Sequence, residues 1–80
     1  MKVTVKRKNP ATPVEIYSEY IKLQDAMKFA SLVATGGEAK QLILDEMVTV
    51  NGEVCTMRGK KLYPGDTFGF GGQSFVITKQ

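Results

Sequence analysis

The 80-residue sequence predicts a single α+β domain, 1–80, in which two packed helices lie against a small, mostly antiparallel β-sheet. Two patterns support this fold class. Apolar residues recur at helical spacing in the middle of the chain. At its start and in most of its second half, apolar and polar residues alternate in short segments that turn residues separate, as is typical of strands. With 42% apolar and 24% charged residues, the composition is typical of a folded domain.

The first part of the chain predicts an added N-terminal hairpin of two short strands. Apolar and polar residues alternate over 2–6 and again over 14–17, and the breaker-rich segment 9–13 separates the two patterns. We therefore expect these strands to form a loose hairpin at the N-terminus.

A first amphipathic helix is predicted from 23 to about 32, because Leu23 and Met27 begin a series of apolar residues at helical spacing. Either Ser18 or a residue near Lys22 could cap its start. A short loop then leads to a second helix, and two helices joined in this way are expected to pack antiparallel or crossed.

The second helix is predicted to begin at Thr35. Thr35 and Glu38 have the spacing of a capping box, in which each side chain accepts a hydrogen bond from the other residue's backbone N–H. Ala39, Leu42 and Ile43 mark the buried stripe that follows.

The second half of the chain predicts strands joined by tight turns. Asn51 and Gly52 are the strongest signal, because Asn-Gly supplies the positive φ angles that a type I′ hairpin turn requires. The segments 64–66 and 71–73 predict two further turns. The strands between these turns are predicted at 47–50, 53–55, 67–70 and 74–78.

The residue inventory argues against catalysis and against a metal site. The chain has no histidine, and Cys55 is its only cysteine, so neither an intramolecular disulfide nor a zinc site of cysteine and histidine ligands is expected. The carboxylates are scattered, and Cys55 alternates with Val54 as a packed strand residue would. We expect no enzyme activity and no cofactor.

Nothing in the composition predicts export or a membrane. The first ten residues lack the apolar core of a signal peptide, and the longest apolar-leaning run, FASLVA, is far too short to span a bilayer. A reducing compartment suits the single cysteine. We therefore expect a cytoplasmic protein.

Two groups of residues are candidates for binding phosphate. Arg58, Lys60 and Lys61 lie together in a glycine-containing connection, where cationic side chains can reach a polyanion. At the start of the second helix, Gly36 and Gly37 leave free backbone N–H groups open to an approaching anion. Each pattern also fits an ordinary surface, with solvated charges in one case and a capped helix in the other. The positions of these residues in the fold have to distinguish the two interpretations.

Four segments in order resemble a known family: IKLQDAMKFA (21–30), TGGEAKQLI (35–43), MVTVNGEV (47–54) and RGKKLYPGD (58–66). They resemble the RNA-binding domain named after ribosomal small-subunit protein S-four, also called the alpha-L motif, with the match covering 21–70. The chain looks most similar to the small stand-alone bacterial members of that family. The resemblance implies that the helices and the hairpin grip structured RNA, ribosomal or transfer RNA.

The resemblance also implies which residues touch RNA. Lys22 takes the position of the family's first-helix arginine. The sequence departs from the family in two places: many members have Ser-Arg where this chain has Thr35 and Gly36, and Gln24 replaces the usual aspartate. The expected RNA-binding residues are Lys22, Thr35, Gly36, Gly37, Lys40, Gln41, Arg58, Lys60 and Lys61.

The preferred interpretation is non-catalytic binding of structured RNA by shape, because no aromatic stacking platform is evident in the sequence. The expected RNA is ribosomal RNA in a ribosome or its precursor. The protein is expected to act as a monomer, without membrane or small-molecule partners. The alternative is a protein-interaction adaptor of the translation machinery that docks a partner through exposed aromatic residues. The aromatic residues considered for that role are Tyr17, Tyr20, Phe68 and Phe70.

Overall fold

Two helices and seven strands make up residues 11–80, the part of the chain that the computed structural model describes. They agree in number and order with the elements predicted for that part, apart from one additional pair of very short strands. In chain order they are β1 (Thr12–Ile16), β2 (Ile21–Lys22), α1 (Leu23–Phe29), α2 (Gly36–Leu44), β3 (Val48–Val50), β4 (Glu53–Val54), β5 (Lys61–Leu62), β6 (Thr67–Phe70) and β7 (Gln73–Lys79).

The described strands form a five-stranded sheet in the order β1-β7-β6-β3-β4 and a separate two-stranded ribbon, β2-β5. All pairs are antiparallel except β1 with β7, which run parallel. The predicted class, two packed helices with a mostly antiparallel sheet, is confirmed. The ribbon was not predicted.

The second strand of the predicted N-terminal hairpin is present as β1, two residues earlier than expected. In the described part of the chain β1 pairs with β7, and Val14 lies opposite Ile77 in the core. The predicted first strand, 2–6, lies outside the described residues.

Helix α1 has Lys22 at its N-cap, which agrees with one of the two predicted starts. It ends at Phe29, earlier than the predicted end near residue 32. Ser31 adopts a left-handed φ of 62°, and the N–H of Leu32 bonds back to the carbonyl of Met27 at 3.0 Å. This arrangement is a Schellman motif, which satisfies the last carbonyls and turns the chain out of the helix.

Helix α2 carries the predicted capping box in both directions between Thr35 and Glu38. Its predicted stripe is buried at Ala39 and Ile43, which have no exposed surface, and half-buried at Leu42. With nine residues α2 is the longer described helix, so within 11–80 no helix is long and apolar enough to cross a membrane.

The predicted turns are confirmed by their backbone angles. Asn51 and Gly52 have φ values of 50° and 89°, as a type I′ turn requires. The Asn51 side chain is also fixed, because its Oδ1 accepts the N–H of Thr67 at 2.9 Å. From Tyr63 to Asp66 the chain makes a type II turn, in which Gly65 has a φ of 100° and the N–H of Asp66 bonds to the carbonyl of Tyr63.

One apolar core joins the sheet to the helices and the ribbon. Phe68 is 1% exposed and stacks on Phe75 with 5.0 Å between ring centroids, so the prediction that Phe68 is an exposed docking residue is wrong. Tyr17, in contrast, is 75% exposed. The fully or nearly fully buried residues are Val14, Ile16, Leu23, Ala26, Met27, Ala39, Ile43, Val48, Val50, Leu62, Phe68, Phe75 and Ile77.

Candidate nucleic-acid interface

The ribbon of β2 and β5 places Lys22 directly opposite Lys61. Residues at such positions project from the same face of the pair, with their Cβ atoms roughly 5 Å apart. On the other face lie Ile21, half-buried, and Leu62, which has no exposed surface. Because the core anchors that second face, the two lysines are held pointing toward solvent.

The basic loop, 58–61, is fixed by its backbone to the start of α1. The N–H of Leu23 donates to the carbonyl of Lys60 at 2.8 Å, and the N–H of Gln24 donates to the carbonyl of Arg58 at 3.2 Å. These are N–H groups of the first helical turn, which have no acceptor inside the helix, and Lys22 supplies no side-chain cap. The loop therefore caps α1, while its own side chains stay exposed.

Two tyrosines lie beside the lysines of the ribbon. The rings of Tyr20 and Tyr63 are 5.8 Å apart between centroids and inclined at 49°, and the Nζ atom of Lys61 lies 4.9 Å from the centroid of the Tyr20 ring. Tyr63 is 47% exposed and Tyr20 is half-buried. We call the four residues Tyr20, Lys22, Lys61 and Tyr63 the Lys–Tyr face.

Neither tyrosine was among the residues expected to bind RNA. The expectation that no aromatic ring lies beside the cations was wrong, since both rings border Lys61 and its ribbon. A weak signal was present, since Tyr20 and Lys22 are two residues apart, as are Lys61 and Tyr63. Spacing by two puts side chains on one face of a strand. Strands of two residues are too short for this alternation to stand out.

The start of α2 is already occupied by a carboxylate of the protein. Glu38 Oε1 accepts the N–H of Ala34 at 2.7 Å and that of Thr35 at 3.3 Å, while Thr35 Oγ1 accepts the N–H of Glu38. The N–H groups of Gly36 and Gly37 belong to this same first turn. A phosphate there would meet the negative charge of Glu38, so this corner is the least favourable part of the predicted interface.

Lys40 and Gln41 are exposed on α2, away from the buried stripe, as predicted. The Gln41 amide donates to both carboxylate oxygens of Asp45, at 3.1 and 3.2 Å, so its side chain has an internal partner. Lys40 is therefore the predicted α2 residue best suited to an anion. Within residues 11–80, no hydrogen bond or ion pair joins Lys40 to the basic loop.

Within residues 11–80, no ion pair joins any of the predicted cations to a carboxylate. In the part of the chain that the structure describes, the one ion pair joins Lys28 to Asp25 at 3.4 Å. The same part contains no cluster of three or more carboxylates and thiols that could hold a metal ion. The basic residues Lys6, Arg7 and Lys8 lie outside the described residues.

Cys55 is half-buried and packs against the core, as predicted for a structural strand residue. Its backbone N–H extends the hairpin ladder by donating to the carbonyl of Val48 at 3.0 Å. Its thiol lies 3.7 Å from the carbonyl oxygen of Met57. These contacts are those of a small packed side chain.

Comparison with known proteins agrees with this architecture. The family model of the S4 domain matches residues 14–78, which includes most of β1 and of β7 as well as the stretch 21–70. The chain is 41% identical over 64 residues to RlbA of Bacillus subtilis (strain 168), described as a probable ribosome maturation protein; the alignment covers 76% of this chain and 90% of RlbA.

The fold is also similar to a solved structure, that of YbcJ from E. coli, which is described as having an alpha-L motif involved in RNA-binding. The TM-score is 0.65 at 24% sequence identity, and the match covers 96% of this chain and 99% of YbcJ. At that identity the likeness concerns the fold. The match to the family model and the identity to RlbA place the chain by sequence: it belongs to the S4 domain family.

Proposed function

We propose that this chain is a non-catalytic module that binds structured RNA, namely ribosomal RNA or another ribosome-associated RNA, through the Lys–Tyr face and the basic loop. The observation that carries this proposal is the position of Lys22 directly opposite Lys61, with no ion pair to either from the described residues. Like charges at directly opposite positions disfavour strand pairing. An anion bound between them would remove that repulsion.

The loop adds further cations at the same place. The backbone bonds from α1 hold the loop at Arg58 and Lys60, next to the strand that bears Lys61. The guanidinium of Arg58 can bind a phosphate through two parallel hydrogen bonds, whereas the lysines act as point charges. Three to five phosphate contacts would give a salt dependence of binding with a slope of roughly −2 to −4.

Lys40 is assigned to the same interface as a second contact region, together with Thr35, Gly36, Gly37 and Gln41. The charge of Lys40 and its exposure support this assignment. The carboxylate of Glu38 and the engagement of Gln41 with Asp45 make the other α2 residues weaker contributors.

The relatives support RNA as the polyanion. RlbA is described as a probable ribosome maturation protein, and YbcJ as carrying a motif involved in RNA-binding. A-form RNA presents phosphates and 2′-hydroxyls more readily than base edges, and exposed cations suit recognition by shape.

The test is a titration of ribosomal RNA with the wild-type protein and with the Arg58→Ala, Lys60→Ala, Lys61→Ala triple variant. We expect the triple variant to bind more weakly and its salt slope to be smaller by roughly 2 to 3, since each lost phosphate contact removes a little less than one. Lys79→Ala, which changes an exposed lysine of the other sheet, is the control and should leave the slope nearly unchanged. Circular dichroism checks that all variants are folded.

Equal, salt-independent binding by the wild type and the triple variant would overturn the proposal. Purification of the protein from its native cells, with and without ribonuclease, distinguishes RNA binding from the adaptor alternative. An RNA-binding module should lose the molecules that copurify with it when the RNA is destroyed, whereas an adaptor should keep its protein partner.

A further inference from the structure

We infer that the Lys–Tyr face is a site for an unpaired nucleotide, with the base stacked on Tyr63 and the adjoining phosphates held by Lys22 and Lys61. The inference rests on the RNA binding proposed above and narrows the class of RNA. The ligand would be a folded RNA that presents a bulged, looped or terminal nucleotide next to a helix.

The geometry starts from the register of the ribbon. Lys22 pairs with Lys61 and Ile21 pairs with Leu62. The next position along each chain brings Tyr20 next to Tyr63, in agreement with the 5.8 Å between their ring centroids. Alternation along each strand then places all four side chains on the same face. Leu62 points the other way and is fully buried, so the ribbon cannot turn over without exposing core surface.

Tyr63 is held in place before any ligand arrives. Its backbone opens the type II turn, where its carbonyl accepts the N–H of Asp66 at 2.8 Å and its own N–H donates to Asp66 Oδ2 at 2.8 Å. Tyr20 packs against its ring, and Lys61 in turn lies over Tyr20. A ring fixed in this way loses little conformational freedom on binding.

The two rings differ in what they can offer. The ammonium group of Lys61 lies over the Tyr20 ring, so Tyr20 contacts the protein's own cation. Tyr63 keeps nearly half of its surface exposed and is the ring open to a base. A surface that binds only duplex phosphates needs cations and no aromatic ring. Exposed rings beside cations are the combination by which proteins bind unpaired nucleotides, with stacking on the base and charge on the backbone.

The test uses two synthetic RNAs: a blunt duplex, and the same duplex with a bulge of adenosines, one of them replaced by the fluorescent base 2-aminopurine. The proteins are the wild type, Tyr63→Leu, Tyr63→Phe and Tyr17→Leu. Tyr63→Phe keeps the stacking ring, and Tyr17→Leu removes a tyrosine that is 75% exposed and lies beyond β1, outside the Lys–Tyr face. Binding is measured by anisotropy and stacking by quenching of the 2-aminopurine.

We expect the wild type to bind the bulged RNA more tightly than the duplex, by about fivefold to one-hundredfold, and to quench the probe. Tyr63→Leu should lose the quenching and should lower the affinity for the bulged RNA far more than the affinity for the blunt duplex, so that the preference disappears. Tyr63→Phe and Tyr17→Leu should behave like the wild type. A Tyr63→Leu protein that keeps the preference, or that weakens both RNAs equally, would overturn the inference.

The two proposals fail in different ways. Suppose that the wild type and Tyr63→Leu each bind the bulged and the blunt RNA equally well, while the Arg58, Lys60 and Lys61 triple variant still lowers the salt slope. The proposed site for an unpaired nucleotide is then wrong, and the proposal of RNA binding stands. If the wild type binds no RNA, both are wrong.

Discussion

Lys22 lies directly opposite Lys61 across a ribbon that is only two residue pairs long. Like charges in this relationship weaken strand pairing, and the described part of the chain offers neither lysine a carboxylate. The Nζ atom of Lys61 lies 4.9 Å from the centroid of the Tyr20 ring, a cation–π contact that leaves the positive charge in place. The free protein thus carries a local repulsion that a bound phosphate would relieve.

Replacing Lys22 by glutamate should separate stability from binding. Lys22→Glu creates an opposite-charge pair with Lys61, so we expect the free energy of unfolding to rise by up to about 1 kcal/mol at low salt. Because both side chains are exposed, this gain should shrink as salt is added. Urea denaturation at low and high salt measures it.

The same variant should bind RNA more weakly, since it removes one phosphate contact and adds repulsion. Lys79→Glu, which makes the identical charge change on β7, should lower RNA affinity much less. If the two variants lost RNA affinity equally, net charge and not the Lys–Tyr face would govern binding.

Gly36 is a position where the family resemblance led us to expect arginine, and the structure leaves room for that side chain. A Cβ atom at Gly36 would meet nothing within 4 Å, and the residue has no positive φ. We expect Gly36→Arg to tighten RNA binding and to steepen the salt slope by roughly 1. Fluorescence anisotropy with ribosomal RNA over a range of salt concentrations measures both.

Gly36→Ala is the matched control for that gain. It should stabilise the domain by up to about 1 kcal/mol, because alanine is the better helix former, without changing the salt slope. A steeper slope in both variants would mean that helix stability, and not the guanidinium, improves binding. An unchanged slope in Gly36→Arg would remove the start of α2 from the interface.

The parts of the fold that depend on a few neighbouring residues could be predicted from the sequence. The capping box of Thr35 and Glu38 and the turn at Asn51 and Gly52 are set by the local chemistry of each segment. The end of α1 was not predictable in this way. Ser31 has no special preference for the left-handed conformation that ends the helix there.

The candidate site was harder to predict, because it depends on contacts between distant segments. The ribbon joins two strands of two residues each, and the backbone bond from Leu23 to Lys60 helps to hold it. Neither strand shows a pattern by itself. Lys22 was found through the family resemblance, whereas Tyr20 and Tyr63 became a pair only in the structure. Alternation likewise could not reveal that Phe75 covers Phe68.

Gly69 should tolerate substitution far less well than Gly36. A Cβ atom at Gly69 would lie 2.8 Å from Thr49 Oγ1 and 3.3 Å from the carbonyl oxygen of Gln73. Thr49 is its direct cross-strand neighbour, so the crowding falls between β3 and β6 in the middle of the sheet. We expect Gly69→Ala to lower the free energy of unfolding by about 1–3 kcal/mol, measured by urea denaturation.

A double-mutant cycle identifies the cause. Thr49→Ala removes the closer of the two contacts, so Gly69→Ala should be less damaging in that background than in the wild type. Additive effects would show that the clash with Thr49 is not the source of the loss.

Glu46 offers the clearest route to a more stable protein. It ends α2 in a left-handed conformation with φ of 61°, and the N–H of the next residue, Met47, bonds back to Leu42 at 3.1 Å. A residue with a Cβ is strained in this conformation, whereas glycine is not. Its negative charge also lies near the negative end of the helix dipole. We expect Glu46→Gly to add about 1 kcal/mol to the free energy of unfolding and to raise Tm by roughly 4–8 °C.

Glu46→Gln separates the two causes, because it removes the charge and keeps the strain. The increase in the free energy of unfolding should be smaller for Glu46→Gln than for Glu46→Gly. It should vanish at high salt, where the interaction of the charge with the helix dipole is screened. The part due to the backbone should persist in Glu46→Gly at any salt concentration. Thermal melts of both variants at low and high salt measure the two parts. Equal gains at high salt would show that Glu46 carries no backbone strain, since the glycine would then add nothing beyond the loss of charge.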